Sequence, residues 1–253
     1  MTRLLDRAWA RQVAALAVLL ALWEIAARVG WIDPFYAPAP SRIATVLWSV
    51  FADGSIWDHL RATFTAALLG LLLGLVIGAA LGFAGALIPF VAELLEPVMI
   101  MLNAVPRVIL APLFVIWLGI GLSSKVALSF VLVAVLIFFA VYGGIRDVDR
   151  RLIERVQTLG GGRWVLLREV YLPSVTAWIM GNLKVAVGFA FTGAVVGEFV
   201  ASSRGLGYLL SFAQSTYNAA LVLALVILIM LFVLVLFVLA GALERRLLRW
   251  RYP

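Results

Sequence analysis

The chain has 253 residues, 65% of them hydrophobic and only 13% charged, with a formal net charge of +7. Soluble domains carry about 25% charged and about 45–50% apolar residues, so the composition excludes a soluble globule and indicates an all-α, polytopic membrane protein. With no cysteine and one histidine, His59, there is no disulfide framework, thiolate metal site or cysteine nucleophile, and no cluster to hold a metal.

Arg3, Arg7 and Arg11 flank the first apolar run, 10–29. Its outline is that of a signal peptide, but Glu24 interrupts it and no clean small-residue cleavage site follows, so it reads as a retained span. The segment 30–60 holds Pro34, Pro38 and Pro40, then a mixed stretch in which Ile43, Val46, Leu47 and Val50 fall at helical spacing. Ser41 is the expected N-cap. Trp48 and Trp57 suit a membrane interface, so a short helix is expected on the outer surface.

Five further spans follow, at 62–88, 94–118, 125–145, 177–201 and 219–243, each long enough for a bilayer core that needs about 20 residues. In the second span Gly70, Gly74, Gly78 and Gly82 recur every four residues on one face, a pattern that lets two helices approach closely, within the chain or across a dimer. The third span is expected to break at Pro97, Pro106 and Pro112. Such breaks are tolerated in a membrane where protein or a water-filled cavity satisfies the freed backbone.

Six spans put both termini on one side. The two termini and the loop 146–175 then share that side and carry thirteen of the twenty basic residues. The positive-inside rule places all three in the cytoplasm. The basic charge at the edges of apolar runs is thereby explained by topology, with no nucleic-acid partner.

Within that loop Leu152, Ile153, Val156 and Leu159 form one apolar helical face, with Arg150, Arg151, Glu154 and Arg155 mostly elsewhere. Gly160-Gly161-Gly162 ends this helix and turns the chain. A second short helix presents Trp164, Leu167 and Val170, and Pro173 is expected to close it and start the next span. Such a knob can dock in a groove on a partner or lie on lipid headgroups; geometry alone does not choose.

Glu154, Gly160, Val170, Leu172 and Pro173 stand at the spacing Glu-x5-Gly-x9-Val-x-Leu-Pro. This resembles the coupling loop of type I ATP-binding-cassette importer permeases, with Arg155 and Val156 where that family commonly has two alanines. Pro106, Ala111-Pro112-Leu113, Trp117-Leu118-Gly119-Ile120-Gly121 and Lys125, then Glu198 and Gly205-Leu206-Gly207, resemble the branch that takes up nitrate, sulfonates, taurine, bicarbonate and thiamine-pathway pyrimidines.

The resemblance implies one permease domain over 1–253 in a bacterial inner membrane. It implies a second copy or a related permease, two cytoplasmic ATPases that carry the ATP and magnesium, and an extracytoplasmic solute-binding protein. Leu152, Glu154, Val156, Leu159, Gly160, Trp164, Leu167, Leu172 and Pro173 would then couple to the ATPase. The solute would be a small anion or, alternatively, a neutral pyrimidine.

Glu24, Arg107, Lys184 and Glu198 sit at or near membrane depth, where a charge is expensive and faces a cavity or a partner. Glu24 and Lys184 read as snorkelling or ion-paired side chains. The translocation path is placed at Asn103, Pro106, Arg107 and Pro112 on the third span, and at Glu198, Gly205 and Gly207 at the end of the fifth. No Gly-x4-Gly-Lys-Ser/Thr loop occurs, so this chain does not hydrolyse ATP, and no catalytic triad or paired carboxylates are found. A stand-alone secondary transporter would show inverted repeats, and none is seen.

Overall fold

The computed structural model describes the backbone of residues 2–247, and the side chains of these residues except 2–8, Arg107 and Leu247. Every regular element among them is helical: α1 (Thr2–Val29), α2 (Pro40–Ala52), α3 (Ile56–Leu87), α4 (Pro89–Ala104), α5 (Leu110–Leu118), α6 (Leu122–Arg146), α7 (Arg150–Thr158), α8 (Arg163–Leu166), α9 (Leu172–Val200), α10 (Leu206–Ser215) and α11 (Ala219–Leu247). Five stretches are long and apolar enough to cross a membrane: Trp9–Val29, Ile56–Leu87, Leu122–Arg146, Arg163–Val200 and Ala219–Arg246.

The expected third span, 94–118, is divided between α4 and α5, and neither half is a candidate span by itself. Only one of its three prolines makes the break. Val105 is extended (φ −73°, ψ 133°), as the residue before Pro106 must be, and a short 3₁₀ turn, Arg107–Ile109, follows. Pro97 lies inside α4 without ending it. Pro112 is the third residue of α5, where the backbone N–H has no intrahelical acceptor to lose.

The chain divides into two compact units, Met1–Trp57 with Leu209–Met230, and Asp58–Tyr208 with Leu231–Pro253. In the first, the α1 carboxylate Glu24 pairs with Arg28 at 2.6 Å and accepts hydrogen bonds from both the backbone N–H (3.0 Å) and the hydroxyl (2.8 Å) of Ser41. Ser41 is therefore not the N-cap of α2. Ala39 holds that position without a side-chain cap, and Pro40 opens the helix because its fixed φ suits the first turn. Serine instead ties α2 to α1.

In the second unit α6 is central, with Val133, Ile137, Val141, Ile145, Val175, Ala186 and Ala190 forming a buried cluster. The glycine stripe of α3 lies against α6. A Cβ on Gly74 would sit 2.5 Å from Val133 Cβ, one on Gly78 would sit 2.6 Å from the Ala134 carbonyl, and one on Gly82 would sit 2.7 Å from that of Phe138. Gly193 of α9 leaves its Cβ position 2.6 Å from Ser129 Cα of α6, and the Ser129 hydroxyl donates to the Ala190 carbonyl at 2.8 Å. Ser129 thus lies between glycines of two neighbouring helices, since Gly70 of α3 also faces it. Lys184 pairs with Glu244 at 3.2 Å. The apolar flanks of α1, α3 and α11 stay exposed, as lipid-facing helices require.

Candidate functional site

Two ends of the second unit gather many of the residues that the sequence singled out. At one end, the segment from Asp147 to Tyr171 joins α6 to α9. Asp149 caps α7, its carboxylate accepting from the Arg151 N–H at 2.9 Å. The other end of α7 closes in a Schellman turn: the Gly161 N–H donates to the Val156 carbonyl at 2.8 Å and the Gly160 N–H to that of Gln157 at 3.0 Å. Gly160 carries φ +79°, the left-handed conformation this turn requires. Gly161 is needed for space, because a Cβ there would meet Val156 Cγ1 at 2.5 Å.

Pro173 is the second residue of α9, in keeping with the expected start of a span, yet no non-helical residue precedes that helix, and the chain is helical from Arg163 to Val200. A wide π turn, Leu167–Tyr171, absorbs the proline: the Leu172 N–H reaches the Leu167 carbonyl, five residues back. A normal α turn would press the Pro173 ring on the carbonyl four residues before it, and the extra residue relieves that clash.

The apolar side chains of the loop separate into two sets. Leu152, Val156, Val170 and Pro173 line a cavity of about 440 Å³ beneath α7. Leu159 and Trp164, 82% and 72% exposed, lie outside that lining, and Leu152 and Leu172 are also exposed. Glu154 is exposed, and its carbonyl accepts from the Thr158 hydroxyl at 2.8 Å; Leu167 is half-buried. Two large apolar side chains held out by a capped, rigid turn form a surface suited to a protein groove.

At the other end of the same helices, Glu198, Gly205 and Gly207 come together around the first turn of α10. Glu198 is buried, and its Oε2 accepts from the Thr63 hydroxyl at 2.8 Å and the Gly207 N–H at 3.0 Å. The Leu206 N–H donates to Thr63 Oγ1 at 2.9 Å, and the Gly205 N–H to His59 Nδ1 at 3.0 Å. Three consecutive N–H groups at a helix start are thus satisfied by side chains from α3 and α9. The His59 ring also stacks on Tyr208. Glycine is required at 205, where φ is +119° and a Cβ would overlap the Glu198 carboxyl group, and at 207, where it would overlap the Val195 carbonyl.

Asn103, Pro106 and Pro112 lie apart from this cluster along the sequence, at and around the α4–α5 break, and none of them lines the cavity beside Glu198. The Arg107 side chain lies outside the described residues. Sequence reasoning missed Asp149, whose placement just before a helical apolar pattern is a readable N-cap signal. It also missed Thr63 and His59, which no local pattern marks, because Glu198 stands 135 residues from Thr63.

Comparison with known proteins gives three concordant findings. Residues 70–249 match the family model described as binding-protein-dependent transport system inner membrane component. The riboflavin transport system permease protein RibX of Chloroflexus aurantiacus is 38% identical over 235 residues, covering 93% of this chain and 88% of that protein. The taurine transport system permease protein TauC of Escherichia coli is 31% identical over 251 residues, covering 97% and 91%. Among solved structures, the inward-facing MetNI methionine ABC transporter aligns with a TM-score of 0.59 at 22% identity over 76% of this chain and 93% of that one. An amino acid ABC transporter with histidines aligns with a TM-score of 0.62 at 16% identity over 79% and 97%. At these identities the two structures speak for the fold.

Proposed function

The chain belongs to the family of binding-protein-dependent transport system inner membrane components, and from that membership we propose how its parts serve an importer. It is the multi-pass permease subunit of an ATP-binding-cassette importer and works with a separate ATPase and a binding protein. The 1–253 chain acts as one permease domain, paired with a second copy or a close relative. It binds no cofactor and catalyses no reaction, and ATP with magnesium stays on the two ATPase subunits.

The observation that carries the coupling assignment is the exposed apolar tip, Leu159 and Trp164, on a turn held by Gly160. Leu159 and Trp164 dock in the ATPase, while Val156, Val170 and Pro173 face the loop's own cavity. Burial of such side chains in a partner supplies about 1.5–3 kcal/mol each. In this topology α4 and α5 make the third crossing together and both termini face the cytoplasm. The path runs beside the α4–α5 break, past Asn103, Pro106, Arg107 and Pro112, toward Glu198, Gly205 and Gly207.

The solute reading is a small sulfonate or related anion, supported by the likeness to the taurine permease and to the Escherichia coli aliphatic sulfonate permease, 32% identical over 232 residues. A neutral heteroaromatic solute is the second reading. The higher identity to the riboflavin permease favours it, as does a formylaminopyrimidine permease of Halalkalibacterium halodurans at 30% identity over 240 residues.

The absence of native cysteine makes the test direct. Leu159→Cys in the membrane-inserted permease should react with a membrane-impermeant maleimide only from the cytoplasmic side, and in the assembled transporter should be protected by the ATPase. Labelling from outside, or equal labelling with and without the ATPase, overturns the topology and the docking. Uptake of taurine against riboflavin by proteoliposomes containing the full complex separates the two solutes.

A further inference from the structure

At the helix ends opposite the 147–171 loop lies a cavity of about 390 Å³, bordered by the first turns of α3 and α6 and the end of α9. Its charged lining is Arg61, Lys125 and Arg204 against Asp58 and Glu198. The two carboxylates do not neutralise the three cations. Glu198 is engaged by the Thr63 hydroxyl and the Gly207 N–H. Asp58 is exposed in the first turn of α3, where the helix dipole favours a negative charge. Neither carboxylate forms a salt bridge among the described residues, and nor do Arg61 and Arg204, both exposed.

Lys125 is the unusual member. Its side chain is 4% exposed, and its ammonium makes neither a hydrogen bond nor a salt bridge among the described residues. It stands in the first turn of α6, where the dipole opposes a cation. Gly197 of α9 makes room for its stem, since a Cβ there would lie 3.2 Å from Lys125 Cγ. The electrostatic partner of Lys125 is the Glu198 carboxylate, which it does not reach by hydrogen bond or salt bridge and which Thr63 and Gly207 already hold, so the buried cation is only partly compensated. Here it borders a cavity large enough for a small ligand, and the positive end of α6 adds to its field.

We propose that this cavity is an oxyanion-binding site, with Lys125 at its base and Arg61 and Arg204 at its rim, for a sulfonate, carboxylate or phosphodiester group. The group has two sources: a free solute anion, or the headgroup of an anionic phospholipid. That the cavity opens away from the ATPase rests on the proposed topology; the binding itself does not.

The experiment uses the permease–ATPase complex. In phosphatidylcholine nanodiscs, ¹⁹F NMR of trifluoromethanesulfonate should show saturable binding, with neutral trifluoroethanol as the control that does not bind. In complexes extracted from membranes containing phosphatidylglycerol, native mass spectrometry reads retained lipid. Lys125→Gln should weaken whichever anion binds by about tenfold or more, as expected for loss of a charge-assisted hydrogen bond. Arg61→Gln and Arg204→Gln, at exposed positions, should weaken it less and leave assembly intact. Binding in the first arm identifies a free anion, and in the second a lipid; either supports the site. No saturable binding in both arms, or unchanged affinity in Lys125→Gln and both arginine variants, overturns it. ATP hydrolysis by the same wild-type complex, stimulated by binding protein, tests the permease reading separately.

Discussion

The turn at Gly160 allows one perturbation to be worked through. Its φ of +79° is left-handed, and nothing lies within 4 Å of the position a Cβ would take, so substitution there is a matter of backbone conformation alone. An L-residue in this conformation costs about 1–2 kcal/mol, asparagine less and a β-branched residue more. The alternative is to leave the conformation and lose the two hydrogen bonds at 2.8 and 3.0 Å that close α7, a similar loss at about 0.5–1.5 kcal/mol each. By either route the population of the docking turn falls about 5–30-fold. Coupled ATP hydrolysis by proteoliposomes of the complex should therefore decline in the order Gly160, Gly160→Asn, Gly160→Ala, Gly160→Val, with insertion in the membrane unchanged. Wild-type coupling in Gly160→Val, or an asparagine variant weaker than the alanine one, would refute the reasoning.

Three further outcomes can be checked on the same complex. Trp164→Ala should leave thermal unfolding of the permease unchanged, since the side chain is 72% exposed, while weakening ATPase association by about 2 kcal/mol or more, as for an interface anchor; pull-down titration reads it. Glu198→Ala removes the acceptor of the Gly207 N–H and the Thr63 hydroxyl and should destabilise by about 1–3 kcal/mol for each group left without a partner, whereas Glu198→Gln keeps an acceptor and should unfold closer to wild type. Gly78→Leu drives a side chain into the Ala134 backbone, 2.6 Å from its carbonyl oxygen, and should destabilise by about 1–3 kcal/mol or more. Gly143→Ala, with nothing within 4 Å, is its neutral control.

What the sequence by itself determined is whatever depends on local chemistry. Long apolar runs in a chain with 13% charged residues require helices in lipid, because only internally bonded backbone survives there. Arginine at the edges of those runs indicates a topology, and three consecutive glycines after an apolar helical face mark the turn at Gly160. The Glu154-to-Pro173 spacing carried the family.

Only the tertiary structure decided what depends on neighbours distant in the chain. The glycine stripe showed close packing, but its partner had to be found in α6 of the same chain. Ser41 had the chemistry of an N-cap, yet Glu24 of another helix captured it. Pro173 marked the start of α9, but that a π turn joins it to the helix before, with no break between them, was not legible. Glu198 read as a charge that must face a cavity or a partner, and its partners, Thr63, 135 residues away, and the start of α10, appeared only in the packed helices. In each case two outcomes are locally allowed, and they differ by one or two hydrogen bonds or one steric overlap. Sequence spacing cannot count those terms, because the groups that supply them meet only once the helices have packed.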